Sequence, residues 1–151
     1  MSRSADVCRL ICIDPAQVRE FWPHVAPLIE AAMRKGRLTN YVDVERDVLA
    51  GGALVWIAWN GENIKAAAVT EIASANGERF CTIVACGAQT SLRSLRKLDC
   101  DDRRQWLPLI AGLESYARAE GCAAMRIYGR RGWLKLLRDY RTSRVLLEKE
   151  L

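Results

Sequence analysis

The chain has 151 residues, of which 50% are apolar and 27% are charged, a balance typical of one globular domain rather than a disordered segment. Its net charge of +5 is compatible with coenzyme A, nucleic acid or an acidic protein surface, and does not choose among them. No apolar run reaches the about 20 residues that span a bilayer, and the first residues lack a secretory apolar core. We therefore expect a single cytoplasmic domain over residues 1–151, with no membrane partner.

The cysteines and the histidine argue against a metal site. The six cysteines show no C-x-x-C spacing, which disfavours a zinc ribbon or a thioredoxin-type site. Cys12, Cys81 and Cys122 lie in apolar stretches, where a reduced thiol packs as a small hydrophobic group. His24 is the only histidine, so a histidine-rich metal site or a Ser-His-Asp triad is hard to assemble. We expect reduced structural thiols and no metal.

The first elements in chain order are a strand over residues 7–13 and a helical region behind it. Asp14 followed by Pro15 is a typical helix opening, with an N-cap before proline at the first helical position. Pro23 and Pro27 should not both fit in one regular helix, because each removes an amide donor and clashes with the preceding turn. We expect a short turn or helix and then a second helix from about Pro23. Its predicted buried stripe is Leu28, Ile29, Ala32 and Met33.

The middle of the chain predicts a short helix over residues 44–50 and then an antiparallel meander. The predicted strands of the meander are residues 53–59, 64–72 and 80–85. Asn60-Gly61, between the first two, is a dipeptide typical of a type I′ hairpin. Asn76-Gly77 marks the turn before the third strand.

The last third of the chain opens on the strongest helix, predicted over residues 103–119. Its apolar residues at three- and four-residue spacing are Trp106, Leu109, Ile110, Leu113 and Ala117. The elements predicted after it are a strand over 123–128, a short helix over 132–138 and a closing strand over 144–149. The resulting order, β-α-α-β-β-β-α-β-α-β, predicts an α/β (α+β) fold in which a mixed, mostly antiparallel sheet is flanked by helices.

This order and three local sequences resemble the GNAT acetyl-coenzyme A-dependent N-acetyltransferases over nearly the whole chain. The sequences that carry the resemblance are residues 56–64, 113–122 and 129–149. A Trp-Pro segment at residues 21–28 and the Gly-Arg-x-Gly-Trp tail are also similar to short GNAT-like proteins of bacteriophages and prophages. That similarity implies an association with virions if the protein is phage-encoded.

The resemblance implies an acetyl-coenzyme A site. In the family a Gln/Arg-x-x-Gly-x-Gly/Ala sequence holds the pyrophosphate at a helix N-terminus, because glycines let backbone amides approach the anion. The aligned residues 101–106 contain no glycine, and Trp106 stands where one is expected. The cofactor-binding residues that the resemblance then implies are strand backbone at Val84 and Ala85 and side chains of Arg103, Arg104 and Gln105.

The family's catalytic tyrosine has no counterpart in the last helix, where residues 135–138 hold none. Tyr128 is the candidate general acid, and a tyrosine packed in its strand is the alternative. Tyr140 falls on a structural aromatic of the family. Glu71, at the end of the predicted strand over residues 64–72, is the candidate base for an amine, and a solvated strand-end charge is the alternative.

Three functions stay open. The first is direct acetyl transfer to a small-molecule or protein amine, which depends mainly on orientation. The second is a non-catalytic GNAT-like module that binds a protein partner, a second copy or a virion, with Trp22 as the best exposed anchor and Trp56, Trp106 and Trp133 on core faces. Nucleic-acid binding is the least supported, because interspersed acids dilute the basic side chains. Those side chains are Arg93, Arg96, Lys97, Arg103, Arg104, Arg130 and Arg131.

Overall fold

A computed structural model describes residues 8–34, 40–88, 106–129 and 132–151. Within these ranges the strands are β1 (Arg9–Cys12), β2 (Leu54–Trp59), β3 (Ile64–Ala75), β4 (Glu78–Ala88) and β5 (Ala124–Ile127). The helices are α1 (Val18–Met33), α2 (Tyr41–Leu49), α3 (Trp106–Ala119) and α4 (Gly132–Leu136), and the 3₁₀ turn Pro15–Gln17 leads into α1. No described helix is both long and apolar enough to cross a membrane.

The described strands form one sheet in chain order. Strands β1 to β4 are antiparallel neighbours, and β5 pairs in parallel with β4. Because alternate residues of a strand point to opposite faces, β2 sends Val55 and Ile57 to one face and Trp56 to the other. Helices α1 and α2 cover the first face, and α3 and α4 cover the second. The predicted class, a mixed and mostly antiparallel sheet flanked by helices, is confirmed.

Helix α1 contains both Pro23 and Pro27, so the predicted break between two helices is wrong. The two prolines are four residues apart and lie on one exposed face. The carbonyls that lose their amide donors there, on Arg19 and Pro23, can be hydrated instead. Ile29 is fully buried, whereas the other three residues of the predicted stripe are half-buried. The buried face that holds the helix on the sheet is Val18, Trp22, Val25 and Ile29.

Side-chain caps fix where the first helical elements begin. Asp14 accepts the Ala16 amide at 2.9 Å, as its position before proline predicts, although it opens the 3₁₀ turn rather than α1 itself. Helix α2 begins at Tyr41, earlier than predicted, because the Asn40 side chain accepts the Val42 amide at 3.0 Å.

The two Asn-Gly dipeptides form different turns. Asn76 and Gly77 have φ angles of 53° and 78° and directly join β3 to β4, as a type I′ turn requires. Asn60 has no positive φ, and its side chain instead accepts the amides of Glu62 and Asn63 at 2.9 and 2.7 Å. The hairpin at Asn60-Gly61 therefore has a longer loop closed by a side chain, which corrects the predicted type I′ turn.

The predicted closing strand over residues 144–149 is not present. Residues 141–151 have no regular structure and lie exposed. Val145, Leu146 and Leu147 are 75%, 64% and 89% exposed. A strand needs a neighbour that accepts its backbone hydrogen bonds, and the apolar pattern alone does not supply one.

Glu45 joins α2 to α1. The same carboxylate oxygen, Oε2, accepts the Trp22 indole N–H at 2.7 Å and the Tyr41 hydroxyl at 2.8 Å. These two hydrogen bonds hold the pKa of Glu45 below its ordinary value, whereas burial and the Glu45 contact raise the pKa of Tyr41 to about 12. Trp22 is only 5% exposed, so its predicted role as an exposed anchor is wrong.

We expect Glu45→Ala to lower the free energy of unfolding by about 1–3 kcal/mol, because the buried Trp22 N–H loses its acceptor. Urea denaturation at neutral pH measures this. The matched control is Asp43→Ala on the same helix, which removes an exposed 3.0 Å ion pair with Arg46 and should cost under about 1 kcal/mol. Equal losses in the two variants would contradict the role of Glu45. Because the folded pKa of Glu45 is lowered, its contribution should fade as the pH falls through that pKa.

The end of β4 lies against the backbone of α1 at Gly87. A Cβ atom placed on Gly87 would collide with the Leu28 carbonyl oxygen and lie 3.1 Å from the Ala32 Cβ. Glycine is required here by close approach of two backbones.

We therefore expect Gly87→Ala to destabilise the protein by about 1–3 kcal/mol, since either β4 or α1 must shift. Gly52→Ala is the control, because its Cβ would make an ordinary 3.5 Å contact with the Asp47 carbonyl oxygen. Chemical denaturation of both variants measures the difference. A Gly87→Ala variant as stable as the Gly52→Ala control would show that α1 and β4 are not in close contact.

Candidate active site

Strands β4 and β5 separate part-way along their length. Their parallel pairing runs from Phe80 opposite Ala124 to Ile83 opposite Ile127. One further backbone hydrogen bond, from the Tyr128 amide to the Ile83 carbonyl oxygen at 3.3 Å, follows this pairing. Strand β4 continues to Ala88, so beyond Ile83 its β5 side has no paired strand among the described residues.

A bulge in β4 stands where the two strands separate. Val69 of β3 is opposite Ala85 and Thr70 is opposite Ile83, which leaves Val84 as the extra residue. A bulge bends its strand and increases the local twist. We infer that the bulge at Val84 turns β4 away from β5, with which it pairs as far as Ile83. The side chains of Val84 and Ala85 are 7% and 5% exposed, packed under α1. At this opening β4 therefore offers backbone groups rather than side chains.

This opening fits an extended ligand that carries amide groups. A free strand edge binds such a chain by the hydrogen bonds that would otherwise go to a neighbouring strand. The pantetheine arm of coenzyme A has that chemistry, and Val84 and Ala85, the strand residues predicted to contact it, lie at this opening. Arg103, Arg104 and Gln105, predicted to contact the pyrophosphate, lie outside the described residues.

Glu71 forms a carboxyl pair with Asp47 on the face of the sheet that α2 covers. Burial, the negative charge of Asp47 and a hydrogen bond between the two carboxyl groups raise the pKa of Glu71. Asp47 also forms a 3.6 Å ion pair with Arg46 at the surface. A carboxyl group with a raised pKa can hold or release a proton nearer to neutral pH than an ordinary glutamate.

The sheet register places Glu71 one strand away from the opening. Glu71 lies inside β3 rather than at its end, opposite Thr82 of β4, which in turn lies opposite Arg126 of β5. Thr82 precedes Ile83, the residue at which β4 and β5 stop pairing, and neighbouring strands are about 4.8 Å apart. Glu71, Thr82 and Arg126 thus form a polar row across one face of the sheet beside the opening.

Tyr128 lies at the opening itself. It follows Ile127, the last paired residue of β5, and is 54% exposed, so the alternative of a tyrosine packed in its strand is wrong. Tyr140 has the opposite environment, since its hydroxyl is buried without a hydrogen-bond partner and burial raises its pKa to about 12. Tyr128 is accessible from solvent at the opening, whereas Tyr140 packs against the core cluster around α3.

Solved structures of acetyltransferases share this arrangement of strands and helices. An aminoglycoside acetyltransferase from an uncultured soil metagenomic sample, in complex with sisomicin, is 12% identical with a TM-score of 0.64, and the match covers 97% of each chain. A GNAT family acetyltransferase of Staphylococcus aureus is 12% identical with a TM-score of 0.60, covering 96% of this chain and 99% of that one. The fold is that of the GNAT acetyltransferases.

A third structure of the same fold is the ribosomal-protein-alanine N-acetyltransferase of Brucella melitensis biovar Abortus, at 12% identity and a TM-score of 0.60. That match covers 95% of this chain and 99% of the other. No protein-family model and no curated protein matches the sequence. At these identities the comparisons establish the GNAT fold, and the chemistry has to be argued from the residues.

The thiols near the opening are poorly suited to carry an acyl group. Burial raises the pKa of Cys86, which follows the bulge, to about 12, and raises that of Cys81 to about 11. The reactive form of a cysteine is the thiolate, so neither is a ready nucleophile at neutral pH. Cys12 is exposed, unlike the packed thiol expected from its apolar neighbours. No disulfide and no metal-binding group of His, Cys, Asp and Glu occurs among the described residues.

Glu71→Gln should raise the melting temperature at neutral pH. Because the folded pKa of Glu71 is raised, the carboxyl group stabilises the fold below its unfolded pKa and loses that contribution as the pH rises through the folded pKa. Glutamine keeps a donor for Asp47 without the charge. The gain should therefore shrink toward pH 4, where more than half of the glutamate is protonated in both states.

Thermal denaturation of both proteins at pH 4 and pH 7 measures this difference. Glu78→Gln, an exposed carboxylate at the start of β4, is the control and should change the melting temperature little at either pH. A gain from Glu71→Gln that is equal at both pH values would show that burial and Asp47 do not raise the pKa of Glu71.

Proposed function

We propose that the protein is an N-acetyltransferase that transfers an acetyl group from acetyl-coenzyme A directly to an amine. The observation that carries the proposal is the opening between β4 and β5, with the Val84 bulge at its start. The cofactor supplies an acetyl thioester. The contribution of the protein is to hold that thioester on the β4 edge and to present an amine to it, which is catalysis by orientation.

Glu71 is the proposed base. An amine attacks a carbonyl carbon only as the neutral base, so an ammonium substrate must first lose a proton. The Glu71 carboxylate accepts that proton, and its raised pKa makes it a stronger base than an ordinary glutamate. Asp47 beside it favours the protonated form of Glu71 and adds negative charge that attracts a cationic substrate.

Tyr128 is the proposed acid. The sulfur atom that leaves the acetyl group carries negative charge until it is protonated, and the exposed Tyr128 hydroxyl at the opening can donate that proton. The C–N bond forms as the C–S bond breaks. The first proton of the ammonium group goes to the Glu71 carboxylate before the attack. Tyr128 then protonates the departing sulfur, and the second proton, which the nitrogen loses after the attack, restores the Tyr128 hydroxyl. Glu71 is on β3 and Tyr128 follows β5, so the base and the acid lie on opposite sides of β4.

The non-catalytic alternative expected Trp22 to be exposed and to contact a protein partner. Trp22 is instead buried and hydrogen-bonded to Glu45. The basic side chains of the nucleic-acid alternative all lie outside the described residues. Neither alternative is favoured by an observation on the described part of the chain.

The first experiment measures cofactor binding by thermal denaturation with and without excess acetyl-coenzyme A. A ligand at about 100 times its Kd adds about 2.7 kcal/mol to the free energy of unfolding, so we expect a clear rise in Tm. Release of free thiol is then followed with a panel of amines. The panel includes an aminoglycoside and a peptide with N-terminal alanine, because two acetyltransferases of the same fold are named for such substrates. No rise in Tm at saturating cofactor would refute the proposal.

The second experiment assigns the proton transfers. With an accepted amine we expect Glu71→Gln to lower kcat by about 100-fold or more, and to remove the loss of activity at low pH that titration of Glu71 causes. Tyr128→Phe should lower kcat with little change in KM. Tyr140→Phe is its control, because the Tyr140 hydroxyl has no partner to lose. Unchanged activity in Glu71→Gln would exclude Glu71 as the base.

A further inference from the structure

The polar row formed by Glu71, Thr82 and Arg126 is short enough for one small molecule to contact all of it. Glu71 lies opposite Thr82, and Thr82 lies opposite Arg126. Along β4 and β5 these residues alternate with residues that pack under α3, so their side chains lie on the other face of the sheet. Neighbouring strands are about 4.8 Å apart, and the row therefore extends over two such spacings.

The hydroxyl group of Thr82, at the centre of the row, has no hydrogen-bond partner among the described residues. Thr82 is nevertheless only 9% exposed. The hydroxyl of Thr70, a second buried threonine, accepts the indole N–H of Trp56 at 2.9 Å. Side-chain polar groups this deeply buried are normally hydrogen-bonded, because they have lost most of their contact with water. The unpaired hydroxyl of Thr82 therefore indicates a ligand that supplies the missing partner.

Arg126 lies over the aromatic ring of Phe80. Its guanidinium carbon is 3.8 Å from the ring centroid, which is a cation–π contact. The cross-strand partners of Phe80 are Ala73 and Ala124, which are both exposed and too short to cover the guanidinium group. On the part of the chain that the structure describes, no carboxylate pairs with Arg126. The ring therefore positions an arginine whose N–H groups are available to an anion.

The charges along the row are complementary to a zwitterion. Asp47 and Glu71 make one end negative, and Arg126 makes the other end positive. An ammonium group fits beside Glu71, where the proposed base needs it, and a carboxylate fits between Thr82 and Arg126. A guanidinium group donates two parallel N–H groups to a carboxylate, and the Thr82 hydroxyl can donate a third hydrogen bond. A polycationic acceptor would instead be repelled by Arg126.

We infer that the acceptor is a free amino acid, a small molecule with both an amine and a carboxylate, and that Arg126 and Thr82 select it by binding the carboxylate. The products are the N-acetyl amino acid, whose carboxylate is unchanged, and coenzyme A with a free thiol. The inference rests on the proposed acetyl transfer and names its substrate class. Arg126 and Thr82 determine specificity, whereas Glu71 and Tyr128 move the protons.

The test compares amino acids with their carboxamides, which keep the amine and lose the negative charge. Glycine, β-alanine and 4-aminobutyrate differ in the distance between amine and carboxylate. Each is titrated against the protein with saturating coenzyme A, while NMR follows the backbone amides of Thr82 and Arg126. We expect at least one of the three to bind about tenfold or more tightly than its carboxamide, because the carboxamide cannot form the ion pair. Thiol release from acetyl-coenzyme A should show the same preference in kcat/KM.

Variants assign this preference to the row. Arg126→Met removes the charge and keeps an apolar contact with Phe80, so it should weaken amino-acid binding by about tenfold or more and leave carboxamide binding unchanged. Arg126→Lys keeps the charge without the paired N–H groups and should retain part of the preference. Arg79→Met is the matched control, because Arg79 points to the other face of β4 and forms a 4.0 Å ion pair with Glu120. Circular dichroism should show an intact fold in each variant.

Three outcomes overturn the inference. The first is equal binding of the amino acids and their carboxamides, and the second is no binding of any amino acid at the highest soluble concentration. The third is an Arg126→Met variant that keeps the preference for the carboxylate. The Tm of the same protein with acetyl-coenzyme A separates these results from a failure of the proposed function. A rise in Tm without a carboxylate preference overturns the inference alone, whereas no rise refutes the acetyl transfer on which it rests.

Discussion

Strand β4 forms backbone hydrogen bonds with two strands, β3 and β5, and the shape of the candidate site depends on where each pairing ends. Toward β3 its hydrogen bonds follow the antiparallel pattern, and toward β5 the parallel one. It pairs with both strands as far as Ile83 and with β3 alone after the bulge at Val84. Beyond the bulge, Gly87 lies against the backbone of α1. The opening beside β5 and the contact with the first helix are therefore both found on the part of β4 that follows the extra residue.

The titratable groups around this opening have shifted pKa values. Burial holds the thiols of Cys81 and Cys86 in their neutral form at neutral pH, and burial together with the negative charge of Asp47 raises the pKa of Glu71. A raised carboxyl pKa costs stability at neutral pH, because the charged form is kept partly from water and beside another charge. Such a cost is common at sites where chemistry rather than packing determines the residue. The proposed direct transfer to an amine uses such a carboxylate as its base and needs no cysteine thiolate.

The sequence predicted which residues form helices and strands better than it predicted which side chains are buried and what they contact. The meander, the strong α3 helix and the positions of Val84 and Ala85 follow from local pattern and from the family resemblance, and the structure places these two residues at the bulge. Pro23 and Pro27 were expected to break a helix, because propensity says nothing of the tertiary contacts that fix the opposite face of α1. Trp22 was expected at the surface for the same reason, since its acceptor, Glu45, is far along the chain.

Features that depend on a distant partner could not be predicted from the local sequence. The pairing of Glu71 with Asp47 joins β3 to α2, and neither residue carries a local pattern that points to the other. The two Asn-Gly dipeptides look alike in sequence, yet only the one at Asn76-Gly77 lies between strands in register for a two-residue turn. Residues 144–149 have the apolar pattern of a strand, but a strand also needs a neighbouring strand to pair with.

Backbone amide NMR tests most directly the proposed binding of acetyl-coenzyme A at the β4 edge beyond Ile83. The amides of Val84 and Ala85 are followed during titration with the cofactor, and the amide of Arg79, at the far end of β4, is the internal reference. We expect large chemical-shift changes at the amides of Val84 and Ala85, because new hydrogen bonds form there, and little change at Arg79. If saturating cofactor leaves the amide shifts of Val84 and Ala85 unchanged, or changes all three amide shifts alike, the cofactor does not bind at this edge.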